Sequence, residues 1–148
     1  MKDKEKIQVR AVTEQDMLTI YEQICALEEK EFNINAFQYV FIHNINDKNV
    51  YYYLAEDEAG LVLGFISCHI QYLLHHCNKV AEIQEFFVKE EYRGFGIGLK
   101  LIKHLELNIQ LLNCDSFEVT AQNKRIQTHE FYKKTGFTQS HLKFTKSI

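Results

Sequence analysis

The sequence predicts an α/β fold in which one sheet carries helices on both faces. Three observations lead there. Stretches of strand-like alternation are interleaved with stretches of helical periodicity along the whole chain. The later part reads strand, helix, strand, helix, strand, an order that implies parallel pairing there. A glycine-rich loop joins one strand to the longest helix. With no proline among 148 residues, element boundaries rest on glycine, asparagine and periodicity. The length suits one domain, residues 1–148, with one core.

Ile7 to Val12 alternates and predicts a first strand. Thr13 then precedes Glu14, Gln15 and Asp16, an acidic first turn behind a capping residue. Met17, Leu18, Ile20, Tyr21, Ile24 and Leu27 form the stripe of a first helix running to about Lys30. Ala36, Phe37, Val40, Phe41 and Ile45 predict a second. Val50 to Glu56 and Leu61 to Leu74 read as a hairpin around Asp57 to Gly60. After a turn at His75 to Lys79, Val80 to Val88 is another strand.

Lys89 to Gly98 is a charged, then glycine-rich, loop. Ile97, Leu101, Ile102, Leu105 and Ile109 mark a long helix. Asp115 to Ala121 reads as a strand and Gln127 to Thr135 as a short helix stopped by Gly136. Phe137 to Thr145 reads as a last strand.

Hydrophobic residues make up 46% and charged residues 25%, which excludes a disordered chain. The net charge of -3 lacks the basic excess of a nucleic-acid binder. Met1 to Lys6 are charged and show no signal-peptide apolar run. No stretch approaches the ~18 apolar residues of a membrane span. Cys25, Cys68, Cys77 and Cys114 form no C-x-x-C or zinc spacing, so buried, reduced core cysteines and a cytoplasmic location are expected.

Arg93-Gly94-Phe95-Gly96-Ile97-Gly98 is the block with the clearest chemistry. Alternate glycines let backbone approach a ligand, and the amides opening the next helix lack intrahelical partners. With the helix dipole they form an anion site suited to a pyrophosphate. The dinucleotide fingerprint G-x-G-x-x-G does not fit, because the last glycine comes one residue early and the block lies late in the chain.

The run Phe86-Phe87-Val88-Lys89-Glu90-Glu91-Tyr92-Arg93-Gly94-Phe95-Gly96-Ile97-Gly98 resembles motif A of the GCN5-related N-acetyltransferases, the GNAT superfamily. Phe131-Tyr132-Lys133-Lys134-Thr135-Gly136-Phe137 resembles their motif B, in order and at a normal separation. The resemblance implies a mixed, mostly antiparallel sheet with a splayed parallel pair. It implies acetyl-CoA as cosubstrate and transfer to an amine in a ternary complex. The backbone of Phe86, Phe87 and Val88 should pair with the pantetheine arm. Arg93, Gly94, Phe95, Gly96, Ile97 and Gly98 should cradle the pyrophosphate. Tyr132 should stand near the sulfur as the acid, its other reading being a packed aromatic.

Glu82 matches the base position of histone-type members. Glu85 falls one residue after the carboxylate of polyamine-type members, where this chain has Gln84. Three apart, they face opposite sides of a regular strand, and a bulge would change that. Many members carry Asn where this chain has Arg125; Lys124 and Arg125 form a basic pair that CoA phosphates would suit.

Segments outside both motifs resemble the aminoalkylphosphonate N-acetyltransferases: Ile24-Cys25-Ala26-Leu27 with Glu31-Phe32, Leu74-His75-His76 with Asn78, and Gln139-Ser140-His141-Leu142-Lys143-Phe144-Thr145-Lys146. That resemblance implies a small phosphonate-bearing amine, with a divalent metal as an accompanying expectation. His75, His76, His141, Lys143 and Arg10 are the candidates to meet such an anion. Polyamine and peptide amines remain as other acceptors, and a non-catalytic CoA-binding module as another class. A homodimer is also expected from the resemblance.

Overall fold

The computed structural model describes residues 6–148. Its elements are β1 (Gln8–Ala11), α1 (Met17–Glu28), α2 (Ile34–Ile45), β2 (Val50–Glu56), β3 (Val62–Leu73), β4 (Asn78–Val88), α3 (Ile97–Leu111), β5 (Ser116–Val119) and α4 (Ile126–Lys134). The strands form one sheet in the order β1-β2-β3-β4-β5. Every neighbouring pair is antiparallel except β4 and β5, which are parallel because α3 carries the chain back across the sheet.

The two faces of the sheet bury different layers. Ile97, Leu101, Ile102, Leu105 and Ile109 of α3, with Tyr132 of α4, pack on Tyr53, Leu63, Ile66, Cys68, Ala81 and Ile83. Ile20 of α1 and Phe41 of α2 pack on Val12, Leu54, Val62 and Phe65. The α3 stripe read from the sequence is buried residue for residue, since its 3.6-residue period leaves one face for the core. Asp16 accepts the backbone N–H of Thr13 at 2.7 Å, which caps the entry to α1. Gly136 has φ of 101° and donates to the Lys133 carbonyl, ending α4 as expected.

Two expectations are corrected. Phe137 to Thr145 forms no strand; every residue from Thr138 to Ile148 is exposed and outside regular structure. Leu142 and Phe144 remain 80% and 88% exposed, so within one chain no apolar burial offsets the entropy of ordering this segment. The cysteines are not all core residues. Cys68 is buried, Cys25 and Cys114 are half-buried, and Cys77 is exposed in a left-handed turn with φ of 51°. Burial pushes the Cys68 thiol up to about 12, so it is inert.

Candidate active site

The β4–β5 ladder runs only from Val80–Ser116 to Ile83–Val119. Beyond it β5 ends, while β4 continues to Val88 against β3. Among the described residues, the edge of Gln84 to Val88 that faces away from β3 therefore has no strand beside it. A strand edge with unpaired N–H and C=O groups is a template for an extended, amide-bearing ligand. At its end the Val88 carbonyl accepts from Arg93 Nε at 2.8 Å, and the guanidinium lies 5.8 Å from the Phe87 ring centroid.

A β-bulge sits at the start of this open edge. Ile66 pairs with Phe86 and Cys68 with Ile83, so Ser67 alone faces Gln84 and Glu85. The extra residue restores the same face after an odd step. Ile83 and Phe86, three apart, both pack on the α3 side. Glu82 and Glu85 are thereby brought to the same side, toward α1 and α2. The bulge is closed by Ser67, which is fully buried. Its Oγ accepts the Glu85 N–H at 2.9 Å and donates to Glu85 Oε1 at 2.6 Å. Glu82 Oε1 accepts from Gln84 Nε2 at 3.2 Å.

Tyr132 approaches from the opposite face. Its ring lies 6.2 Å from Phe86 and 5.6 Å from Phe137, and Phe86 stacks on Phe131 at 5.5 Å. Burial pushes the Tyr132 phenol well above the ordinary tyrosine range, with the Arg125 charge opposing it. The phenol thus stays protonated, as a proton donor requires. Among the described residues its hydroxyl has no hydrogen-bond partner, although the ring is 7% exposed. Glu85 and Tyr132 flank the open β4 edge from its two sides.

The glycine loop divides into different tasks. Gly94 and Gly96 have φ of 82° and 83°, the left-handed region that a side chain disfavours. Gly96 is the N-cap of α3, so the amides of Ile97, Gly98 and Leu99 point out of the helix end. Gly98 serves contact: a Cβ there would lie 2.8 Å from Phe86 Cζ and 3.4 Å from Phe131 Cζ. The helix end is thereby seated against the aromatic cluster that holds Tyr132. Phe95 is exposed beside this turn and Ile97 is buried beneath it.

A model of the acetyltransferase (GNAT) family matches residues 17–137. The chain belongs to that family. The enzyme is an N-acetyltransferase that uses acetyl-CoA as cosubstrate. It is 38% identical over 141 residues to the aminoalkylphosphonate N-acetyltransferase of Salmonella typhimurium, covering 95% of this chain and 91% of that one. Among solved structures it resembles a transcriptional regulator from Bacillus halodurans, with TM-score 0.87 and 19% identity over 96% of this chain and 99% of that one. It also resembles an aminoglycoside 6'-N-acetyltransferase from Acinetobacter baumannii, with TM-score 0.81 and 19% identity over the same shares.

Several candidates of the acetyltransferase are held by other partners. Arg125, whose charge reaches the Tyr132 phenol, donates from Nη2 to the Leu27 carbonyl at 2.9 Å and lies 3.9 Å from Glu28 Oε1, tying α4 to the end of α1. Lys124 is exposed beside it. Arg10 is committed to Asp16, at 2.9 Å through both terminal nitrogens, and to Glu56 at 3.0 Å. His75 and His76 lie at the far end of β4, with His76 Nδ1 2.7 Å from Asp115. From Asn78 to Gln84 the strand spans roughly 20 Å, which separates them from the open edge. His141 and Lys143 belong to the exposed C-terminal segment.

Among the described residues no three His, Cys, Asp or Glu side chains come together to hold a metal. No helix among them is long and apolar enough to cross a membrane. Ser67 went unnoticed in the sequence. One small polar residue inside Leu63-Gly64-Phe65-Ile66-Ser67-Cys68 was the available signal, since a buried hydroxyl requires a partner.

Proposed function

We propose that this enzyme acetylates the primary amine of a small aminoalkylphosphonate by direct attack within a ternary complex. The observation that carries the mechanism is the placement of Glu85 and Tyr132 on opposite sides of the open β4 edge. The amine enters from the α1 and α2 side. Its ammonium gives a proton to Glu85, directly or through a water, and the neutral nitrogen attacks the thioester carbon. An N–H of the open edge receives the developing oxyanion. As the C–S bond breaks, the Tyr132 hydroxyl gives its proton to the departing sulfur, and the second proton shed by the new amide nitrogen returns, through water, to the phenolate. Phe86 to Val88 and the Arg93 to Gly98 turn hold the pantetheine and pyrophosphate.

The likeness to the Salmonella enzyme over nearly the whole chain supports the phosphonate reading. A specific observation favours a second acceptor. Glu82 and Glu85 share one face, and a paired acidic surface suits a polyamine. Free CoA release with acetyl-CoA against 2-aminoethylphosphonate, a 1-aminoalkylphosphonate, spermidine and a lysine peptide, with and without divalent metal, separates them. Selective turnover of the phosphonates is expected; turnover of spermidine or peptide alone overturns the substrate and leaves the enzyme class.

We further propose one catalytic unit over residues 1–148, located in the cytoplasm, that works as a homodimer. Among the described residues the outer edge of β5 is unpaired, and the 138–148 segment is exposed with alternating Leu142 and Phe144. Exchange of this segment onto the β5 edge of a second copy pairs both, and carries His141 and Lys143 toward the partner's open edge. Light scattering of the full chain and of a chain ending at Phe137 tests this: a dimer that becomes monomeric is expected, and a monomeric full chain overturns it.

A further inference from the structure

Beyond the bulge, one row of side chains crosses the sheet on the α1 and α2 side. Tyr52 of β2 is the direct cross-strand partner of Ser67, and Ser67 holds Glu85 of β4. Neither Tyr52 nor its support was among the residues expected to act. The Tyr52 ring is wedged between Phe41, at 6.0 Å, and Phe65, at 5.4 Å edge-on, so its plane cannot turn freely. At the tip Asn44 Nδ2 donates to the Tyr52 oxygen at 2.7 Å. That bond occupies one lone pair and leaves the phenol's single hydrogen directed away from Asn44. Burial raises this phenol above the ordinary tyrosine range, with the Asn44 bond opposing it and the Glu85 charge adding to it.

A half-buried phenol with an oriented, unspent O–H, on the same face as the Glu85 carboxylate and linked to it through Ser67, is a two-part reader. The carboxylate takes an ammonium and the O–H takes an oxygen.

We infer that Tyr52 is a specificity-determining residue of the acceptor site, set by Asn44 to donate a hydrogen bond to an oxygen carried by the amine whose nitrogen meets Glu85. The class of substrate is a small amine with an acidic or hydroxyl oxygen on a short spacer. This rests on the reading of the Glu85 side as the acceptor side and deepens it, because the phosphonate then has a named donor in its own chain. A site built to bond an oxygen discriminates strongly against an analogue lacking it. Truncating the donor therefore lowers the preference rather than the chemistry.

The test compares kcat/KM for 2-aminoethylphosphonate and for propylamine, which lacks the oxygens, in wild type, Tyr52→Phe and Asn44→Ala. In Tyr52→Phe the ratio of the two values is expected to fall about tenfold or more, through KM for the phosphonate, with propylamine nearly unchanged. Asn44→Ala keeps the hydroxyl but releases it, so a smaller fall in the same direction is expected, and it stands in should Tyr52→Phe not fold. An equal loss for both amines makes Tyr52 a support for Glu85 or the fold and overturns the inference, as does an unchanged ratio. If wild type turns over a different amine, the phosphonate reading fails; the same ratio, taken on that amine and its oxygen-free analogue, still decides the role of Tyr52. If no amine turns over, calorimetry of 2-aminoethylphosphonate and propylamine on the enzyme–CoA complex supplies the ratio, and absence of binding by both overturns the inference.

Discussion

Ser67 and Glu85 hold each other by two bonds in opposite senses: the serine oxygen accepts the glutamate's N–H at 2.9 Å and donates to its carboxylate at 2.6 Å. The pair stabilises the β4 bulge and aims the carboxylate at once. Ser67→Ala removes both bonds and leaves the Glu85 N–H without its partner. A loss of about 1–3 kcal/mol is expected in urea unfolding. A fall of roughly tenfold in kcat/KM should accompany it as the carboxylate loses its fixed direction. Unchanged activity would separate the bulge from the chemistry.

The bulge turns Glu82 and Glu85 to one face, but their surroundings differ. Glu82 lies in the paired part of β4, opposite His69 and beside Glu118, whereas Glu85 lies where the ladder has opened. Glu85→Gln is expected to lower kcat/KM by about 10²-fold, the scale of a lost general base. Glu82→Gln should cost less than that. The reverse order, measured by steady-state kinetics at pH 7, moves the base to Glu82.

Tyr132 packs through its ring, and the proposed acid is its hydroxyl, so Tyr132→Phe separates the two. Thermal stability should change little, because contacts to Phe86, Phe131 and Phe137 involve the ring. kcat should drop by about 10²-fold. In wild type the phenol is raised above the usual ~10. The acid form therefore persists as pH rises, and kcat should show no alkaline fall near pH 10 that Tyr132→Phe abolishes.

Gly98 is a contact residue. Gly98→Ala drives a methyl against the ring end of Phe86, which is partly buried and stacked on Phe131. Overpacking of this kind costs about 1–3 kcal/mol. The helix end should also shift, so KM for acetyl-CoA is expected to rise. A melt and a KM no different from wild type would show that the aromatic cluster yields.

Arg10 supports the fold rather than the acceptor site. Its hydrogen bonds hold the Asp16 carboxyl below the usual carboxylate range, against the opposing effect of burial. A carboxyl with a lowered folded pKa contributes stability above its unfolded value, about 3.9, and loses it as pH falls through the folded value. Asp16→Asn should therefore cost about 1–2 kcal/mol at pH 7. The gap to wild type should close progressively below pH 4, as read from urea midpoints.

Residues a few positions apart set the element order as far as α4, the α3 stripe, the glycine turn and the pairing of motifs that names the family. These signals are local: a helix face, a left-handed turn and a strand-to-helix loop are dictated by residues a few positions apart. The sequence left Glu82 and Glu85 on opposite faces unless a bulge intervened, and only the tertiary register decided that, because two residues of β4 share Ser67 of β3. It offered Arg125 for phosphates and Arg10 for an anion; folding gives them other partners, Leu27 for one nitrogen of Arg125 and Asp16 with Glu56 for Arg10. A cation's role depends on which carboxylate or carbonyl folding brings nearest, and that lies outside any window of sequence. The strand pattern of Phe137 to Thr145 was legible too, yet a strand exists only when an edge pairs with it, and among the described residues of one chain none does.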